Sequence, residues 1–428
     1  MSTGSVPSVG GKDLQDFKGM SRAPEIGYLQ KQALPEGPRD APAAPTPTAF
    51  QKLTTFVSNN LVGWVTEYLR YRVGSRHPFP TYGNTTIDNG IYPLQGDQDH
   101  SDDVICVAVA GDWGTGTDEA YTVAKHIDER KPHYTVHLGD VYFVGDPAEV
   151  KENFLGIANP KHNYTPCLWP PGSKGAFALN GNHEMYARGY GYFDLILPAM
   201  GIKSGATLQG QKASFFCLQN AYWRVIALDT GYNSVGFPLI EQVFQPDCAL
   251  PDPLLTWLRD VARQKNDKRG IVLLSHHQYC SRFDDLFVKP AEQLAEFIDR
   301  PVIWLWGHEH RLAIYEKYQS GSGITAYGRC VGHGGMPIDL PPAEPKHKEC
   351  AVEFVDFREY QNNEGLKVGI NGFAALTFEG DALKIEYVDV ANTVIFSESW
   401  KTDQAGNVTR VAHGALKDEQ TPSAGSTN

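Results

Sequence analysis

The sequence predicts an α/β fold with mixed sheets, and three patterns predict it. Six apolar runs of strand length, VICVAVAG (104–111), TVHLG (135–139), GAFALNG (175–181), WRVIALD (223–229), GIVLLSH (270–276) and PVIWLWGH (301–308), lack polar alternation, as strands covered on both faces do. Helical patterns lie between them, near 118–130 and in PLLTWLRDVARQ (253–264) and AEQLAEFID (291–299); strands alternating with helices make an α/β chain. Near the end, FAALTFEGDALKIEYVDV (373–390) alternates with period two around Glu-Gly-Asp, which predicts a hairpin and an antiparallel part of the sheet.

The remaining segments fit around that core. Residues 1–48 are rich in Gly, Pro, Ala and Ser and close on GPRDAPAAPTPT. They hold too few apolar side chains to pack alone and are expected to form a flexible or extended arm. From residue 49, Phe50, Leu53, Val57, Leu61, Trp64, Val65 and Tyr68 recur at three- and four-residue steps, and Gly74 stops the pattern. That spacing predicts a helix, in a segment 49–102 packed on the core. The main domain is expected over 103–413, and 414–428 reads as a polar tail.

Composition excludes several classes. At 41% hydrophobic and 21% charged over 428 residues, the chain is neither wholly disordered nor a collagen or coiled-coil rod. Its 38 basic and 50 acidic residues leave a net charge of −12, which repels nucleic acid, so no nucleic-acid partner is expected. No apolar run reaches the roughly 18 residues of a membrane span. The start, MSTGSVPSVGGKDLQ, has no basic and apolar leader. Seven scattered cysteines with no Cys-x-x-Cys pair read as reduced thiols, and a cytoplasmic location is expected.

The chemistry sits at strand ends. Five of the runs lead into Asp112 (GDWG), Asp140 (GDVYF), Asn182, His183 and Glu184 (GNHE), His276 and His277, and His308 and His310 (GHEH). Open α/β sheets place their ligands at such carboxyl ends. Taken singly, a strand-terminal Asp is a turn or cap residue, and a His pair is a satisfied core pair. Together, two Asp, one Asn and three His at five strand ends make an oxygen and imidazole set suited to hard and borderline cations. One carboxylate can bridge two ions, and six ligands suffice for two sites.

This set resembles the calcineurin-like metallophosphoesterases, and within them the purple acid phosphatase branch, over about 104–390. The pattern is GDxG, GDxxY, GNH[DE], a His after an apolar strand, and GHxH. The resemblance implies two mixed sheets packed as a sandwich flanked by helices, with two divalent or trivalent ions (Mn, Zn or Fe) at the strand ends. It implies that Asp140 bridges the ions, that Asp112 and His310 complete the first site, and that Asn182, His276 and His308 complete the second. His276 is preferred to His277 as the first residue after its strand. The implied reaction is hydrolysis of a small phosphate monoester by hydroxide generated at the ions. His183 would protonate the leaving group or steady the phosphoryl charge. Glu184 would fix the tautomer of His183 or serve as a first-turn carboxylate. His277, Arg311 and His333 are candidate phosphate contacts, and His137 reads as a core histidine.

Two departures refine the expectation. Gly114 stands where phosphodiesterase and Ser/Thr phosphatase relatives carry a metal-binding His, and the GDxVDRG signature is absent; both favour the purple acid branch. That branch's tyrosine ligand falls at Phe143, with Tyr142 one place early. Strand alternation turns Tyr142 to the other face, with the alternative that past the strand end it swings in and substitutes for the missing tyrosine ligand. A first site of three protein ligands is therefore expected, without the visible band that tyrosinate on ferric iron gives the resembling family. A phosphodiesterase or nucleotide hydrolase with the same ions is the competing reading. A metal-binding protein acting through its surface is a third, against which the six ligands and His183 argue. Loops 143–174, 185–215 and 232–252 hold the choice of substrate.

Overall fold

The computed structural model describes residues 75–83, 88–98, 103–160, 165–235, 246–338, 344–361 and 367–415. The expected arm and the helix over 49–73 lie outside the described residues, as does the expected tail over 414–428 except for residues 414 and 415, which belong to the strand Val408–Ala415. Two large mixed sheets enclose the core. The first sheet holds, in spatial order, Val408–Ala415, Val394–Thr402, Ala382–Asp389, Gly372–Glu379, Ile105–Ala110, Tyr134–His137, Gly175–Ala178, Gly201–Ser204 and Thr207–Gly210. The second sheet holds Ile91–Pro93, Phe216–Gln219, Trp223–Ala227, Gly270–Ser275, Val302–Trp306, Thr325–Val331, Leu312–Gln319 and Val352–Val355.

Side-chain alternation explains why the strands read as unbroken apolar runs. In Ile105–Ala110, Val107 and Val109 face the inter-sheet core, where they join Val136, Phe177, Val272, Leu274, Ile303 and Leu305. Ala108 and Ala110 face outward onto Ala120, Val123, Ala124 and Ile127 of the helix Asp118–Glu129. Small alanines let that helix approach the sheet. Thr117 starts it by accepting from the Ala120 N–H at 3.1 Å. On the second sheet, Ile271 and Leu273 face outward onto Leu254, Trp257 and Leu258 of the helix Asp252–Asp260. Each fully buried Val, Leu, Ile or Phe among these contributes about 1.5–3 kcal/mol of apolar transfer.

The expected hairpin forms, with Gly372–Glu379 and Ala382–Asp389 paired antiparallel and Gly380 at φ 54° in the turn. Parallel pairing sets the site. Ile105–Ala110, Tyr134–His137 and Gly175–Ala178 run parallel in the first sheet. Trp223–Ala227, Gly270–Ser275 and Val302–Trp306 do so in the second. The second sheet also reaches back before residue 103: Ile91–Pro93 pairs parallel with Phe216–Gln219, and Tyr92 and Leu94 enter the inter-sheet core.

Candidate metal centre

Beyond the strand ends the backbone turns sharply, and the polar residues themselves take the turn. Asp112, Asp140 and His308 have φ of 59°, 73° and 65°, left-handed values that non-glycine residues avoid. Such conformations persist where surrounding structure holds them, and they cluster at functional sites. The neighbouring glycines serve mainly close approach. A Cβ on Gly181 would fall 2.1 Å from Asp140 Oδ1, and one on Gly307 would fall 2.7 Å from Asp112 Oδ2. Gly181→Ala is therefore expected to displace the Asp140 carboxylate and sharply lower metal uptake. Metal content after reconstitution checks this, with wild-type uptake as the contrary result.

The side chains converge. Ligand-capable atoms of Asp112, Asp140 and His276 lie within 4.8 Å of one another, as do those of His276, His277 and His308. Asp140 Oδ2 lies 3.2 Å from His276 Nε2 and 3.3 Å from Tyr142 Oη. Asn182 Oδ1 lies 3.1 Å from His276 Nε2 and 3.0 Å from His308 Nδ1. On the other flank, Tyr142 Oη lies 2.7 Å from Asp112 Oδ1 and 2.9 Å from His310 Nε2. Donor atoms about 3 Å apart suit bonds of roughly 2.0–2.2 Å to a common cation. His276 Nδ1 donates to the Leu138 carbonyl at 3.0 Å, which leaves Nε2 as the nitrogen turned toward the cluster.

The electrostatics fit cations. Asp112 and Asp140 are 0% and 1% exposed, and buried carboxylates need compensating charge. Burial alone would raise the Asp140 carboxyl, but His276 and His183 outweigh it and hold Asp140 well below the usual range. Burial disfavours the charged His276 ring, yet the adjacent Asp140 pushes it up to about 9. In the metal-free chain a proton thus stands where positive charge is wanted, and a bound ion would displace it. Burial, then His276, pushes His308 down to about 4. Burial, then Asp112 and Asp140, holds the Tyr142 phenol well above its ordinary value.

Residues 106–312 match the model of the calcineurin-like phosphoesterase family. Over those residues the chain carries a calcineurin-like phosphoesterase domain. Solved structures similar to it include purple acid phosphatase PPD1 from yellow lupin (Lupinus luteus) seeds, at 16% identity over 71% of this chain and 53% of that one, with a TM-score of 0.43. PhoD is 13% identical over 76% of this chain and 74% of its own, with a TM-score of 0.43. A dimetal phosphatase from Danio rerio is 12% identical over 68% of this chain and 99% of its own, with a TM-score of 0.36. This chain spans about half the length of the lupin enzyme (53%). No curated protein matches it.

The phosphoesterase domain departs from the sequence expectation at Tyr142. Its phenol points into the cluster, between both carboxylates and His310. The strand ends at His137, and Gly139 and Asp140 take positive φ, so alternation no longer governs residue 142. The buried Glu184 and the half-buried Glu149 then hold the loop. Glu184 accepts from the Asp140, Val141 and Gly181 N–H groups at 3.1, 2.9 and 2.9 Å. Glu149 accepts from those of Phe143 and Val144 at 2.6 and 2.9 Å. The Tyr142 N–H donates to the Gly114 carbonyl at 2.9 Å.

Glu184 therefore grips backbone rather than the His183 ring, and burial, then Asp140, pushes its carboxyl up to about 8. His183 Nδ1 donates instead to the Phe143 carbonyl at 2.5 Å. Its Nε2 lies 3.8 Å from Asp140 Oδ2, and its ring lies 4.3 Å from that of Tyr142. His277 lies in the cluster, with Nδ1 3.1 Å from Thr230 Oγ1 and its ring 4.6 Å from that of His308. Arg311 lies over the Phe283 ring at 4.8 Å, with Nε 3.7 Å from Glu309 Oε2. His333 is buried, and its charged neighbours are Asp356, then Arg358 and Asp112. His137 is boxed by Trp113, Phe154 and Trp169.

Sequence reasoning missed Glu149, Glu309 and Tyr186. Glu149 carried a signal, since Asp146 and Glu149 form a capping box. Glu309, between two candidate ligands, accepts from Ser281 Oγ at 2.6 Å and from Trp306 Nε1 at 3.3 Å. Only the fold brings Ser281 to it.

Proposed function

We propose that this chain is a metal-dependent phosphoesterase that hydrolyses small phosphate monoesters at a dinuclear centre. The observation that carries this reading is the convergence of Asp112, Tyr142 and His310 on one side of Asp140, and of Asn182, His276 and His308 on the other. Each group can surround one cation, and Asp140 Oδ2 reaches both. Two bound cations would lower the pKa of a water and offset charge on the phosphoryl oxygens. Mn, Zn and Fe all suit this donor set.

The chain's own residues do the rest. Asp140 is held toward both groups by the His183 N–H, which donates to its Oδ1 at 3.0 Å. His308 N–H donates to Asp112 Oδ2 at 2.7 Å, which leaves Oδ1 toward Tyr142. His183 spends its Nδ1 proton on Phe143, so Nε2 is the atom that carries a proton to the departing oxygen or meets the phosphoryl group. His277 borders the phosphate position. Six buried cysteines and the half-buried Cys106 are free thiols, which suits a reducing compartment. No helix among the described residues is long and apolar enough to cross a membrane.

The test uses His183→Ala. Metal content should stay at the wild-type level while turnover falls by about 10²–10⁴-fold, the usual worth of a general acid. The loss should be smaller for nitrophenyl phosphate than for an alkyl phosphate, whose leaving oxygen needs its proton more. An equal loss for both would assign His183 to charge stabilisation instead. A panel of phosphate diesters run beside the monoesters discriminates the competing reading.

A further inference from the structure

Asn182 supplies a carboxamide to the cluster, and a carboxamide has two ends of similar size and opposite polarity. Only its oxygen offers lone pairs to a cation; its nitrogen carries two donor hydrogens. Here Oδ1 faces His276 Nε2 at 3.1 Å and His308 Nδ1 at 3.0 Å. A half-turn about the last side-chain bond would put the N–H₂ there, with its hydrogens aimed at the cation position. The amide's shape does not forbid that turn, so its orientation depends on what the far end meets.

The far end meets Tyr186. Asn182 Nδ2 donates to Tyr186 Oη at 3.1 Å. The two residues open and close the short helix Asn182–Tyr186, and a spacing of four puts their side chains on one face. The Tyr186 ring also stands edge-on to the His183 ring at 5.0 Å. The ring thus borders one functional side chain while the hydroxyl orients another.

We propose that Tyr186 is a positioning residue. By accepting from Asn182 Nδ2 it holds the amide oxygen toward His276 and His308, and so completes the cation position on that side of Asp140. The inference rests on the dinuclear reading above. It makes a demand that mere packing does not: the hydroxyl should matter only while residue 182 has two unlike ends.

Tyr186→Phe removes that hydroxyl and keeps the ring. Full-length, metal-depleted protein would be titrated calorimetrically with Mn or Zn, beside thermal melts of the metal-free chain. The expected result is one binding step weakened about 10–100-fold, the usual cost of losing a partner behind a metal ligand. That step should be the one His308→Ala removes, with the other step and the metal-free melt unchanged. A second comparison uses Asn182→Asp, whose two oxygens are equivalent. In that background Tyr186→Phe should cost far less, a non-additivity that identifies a direct coupling. An unweakened step in Tyr186→Phe, or the same loss in both backgrounds, would overturn the proposal. Wild-type protein that takes up only one ion would instead overturn the dinuclear reading, and the proposal with it.

Discussion

Asp140→Asn is expected to abolish tight binding of both ions and, with it, more than about 10³-fold of turnover. Losing a single preorganised electrostatic contact already costs about 10²–10³-fold. Asp140 is asked for more, because one carboxylate oxygen reaches both groups of ligands. Asn keeps the size but removes the charge, and its N–H₂ end repels a cation. Metal analysis after reconstitution, with kcat on nitrophenyl phosphate, checks the result. Retention of two ions and of activity would mean that the two groups of ligands do not share Asp140.

Tyr142→Phe is expected to be the second large effect, and it reverses what the sequence alone suggests. With Phe143 at the family position, the iron-loaded protein should be colourless. With the Tyr142 phenol 2.7 Å from Asp112 Oδ1 and 2.9 Å from His310 Nε2, ferric iron bound there would replace the phenol's proton. The wild type should then show a visible charge-transfer band, and Tyr142→Phe should lose it. Affinity for the ion beside Asp112 should fall by at least the roughly 10–100-fold that outer partners are worth. A colourless ferric wild type, or a band that survives the substitution, would remove Tyr142 from the ligands.

The contrast between Asp140 and Tyr142 marks how far the site is legible in the sequence. Asp112, Asp140, Asn182, His276, His308 and His310 stand out because each follows a buried apolar strand through a glycine, or, for His276, directly. That pattern depends on local chain geometry alone. Tyr142 does not stand out, because period-two reasoning holds only to the strand end at His137. Beyond it, the loop's shape comes from the carboxylates of Glu184 and Glu149, which lie outside the strand. Of the two roles read into Glu184, the first-turn carboxylate agrees with the structure, and the partner of the His183 ring does not, since its oxygens accept from backbone N–H groups. Sequence distance places a residue near the site, but whether its side chain meets backbone, an aromatic face or a second buried carboxylate depends on tertiary packing.

The same limit applies to the fold. Strands covered on both faces announce themselves, as Val302–Trp306 does. Val408–Ala415, largely exposed on an edge of its sheet, reads VTRVAHGA and carries no apolar run. Its pairing with Val394–Thr402 makes it a strand. Ile91–Pro93 is only a tripeptide, and the partner Phe216–Gln219 defines it.

Crystals of the full chain loaded with Mn or Zn, measured by anomalous diffraction at the metal edge, test the central claim most directly. Two anomalous peaks roughly 3.5–4 Å apart are expected, both within bonding distance of Asp140, one beside Asp112, Tyr142 and His310, the other beside Asn182, His276 and His308. A single peak, or metal bound only away from Asp140, would contradict it.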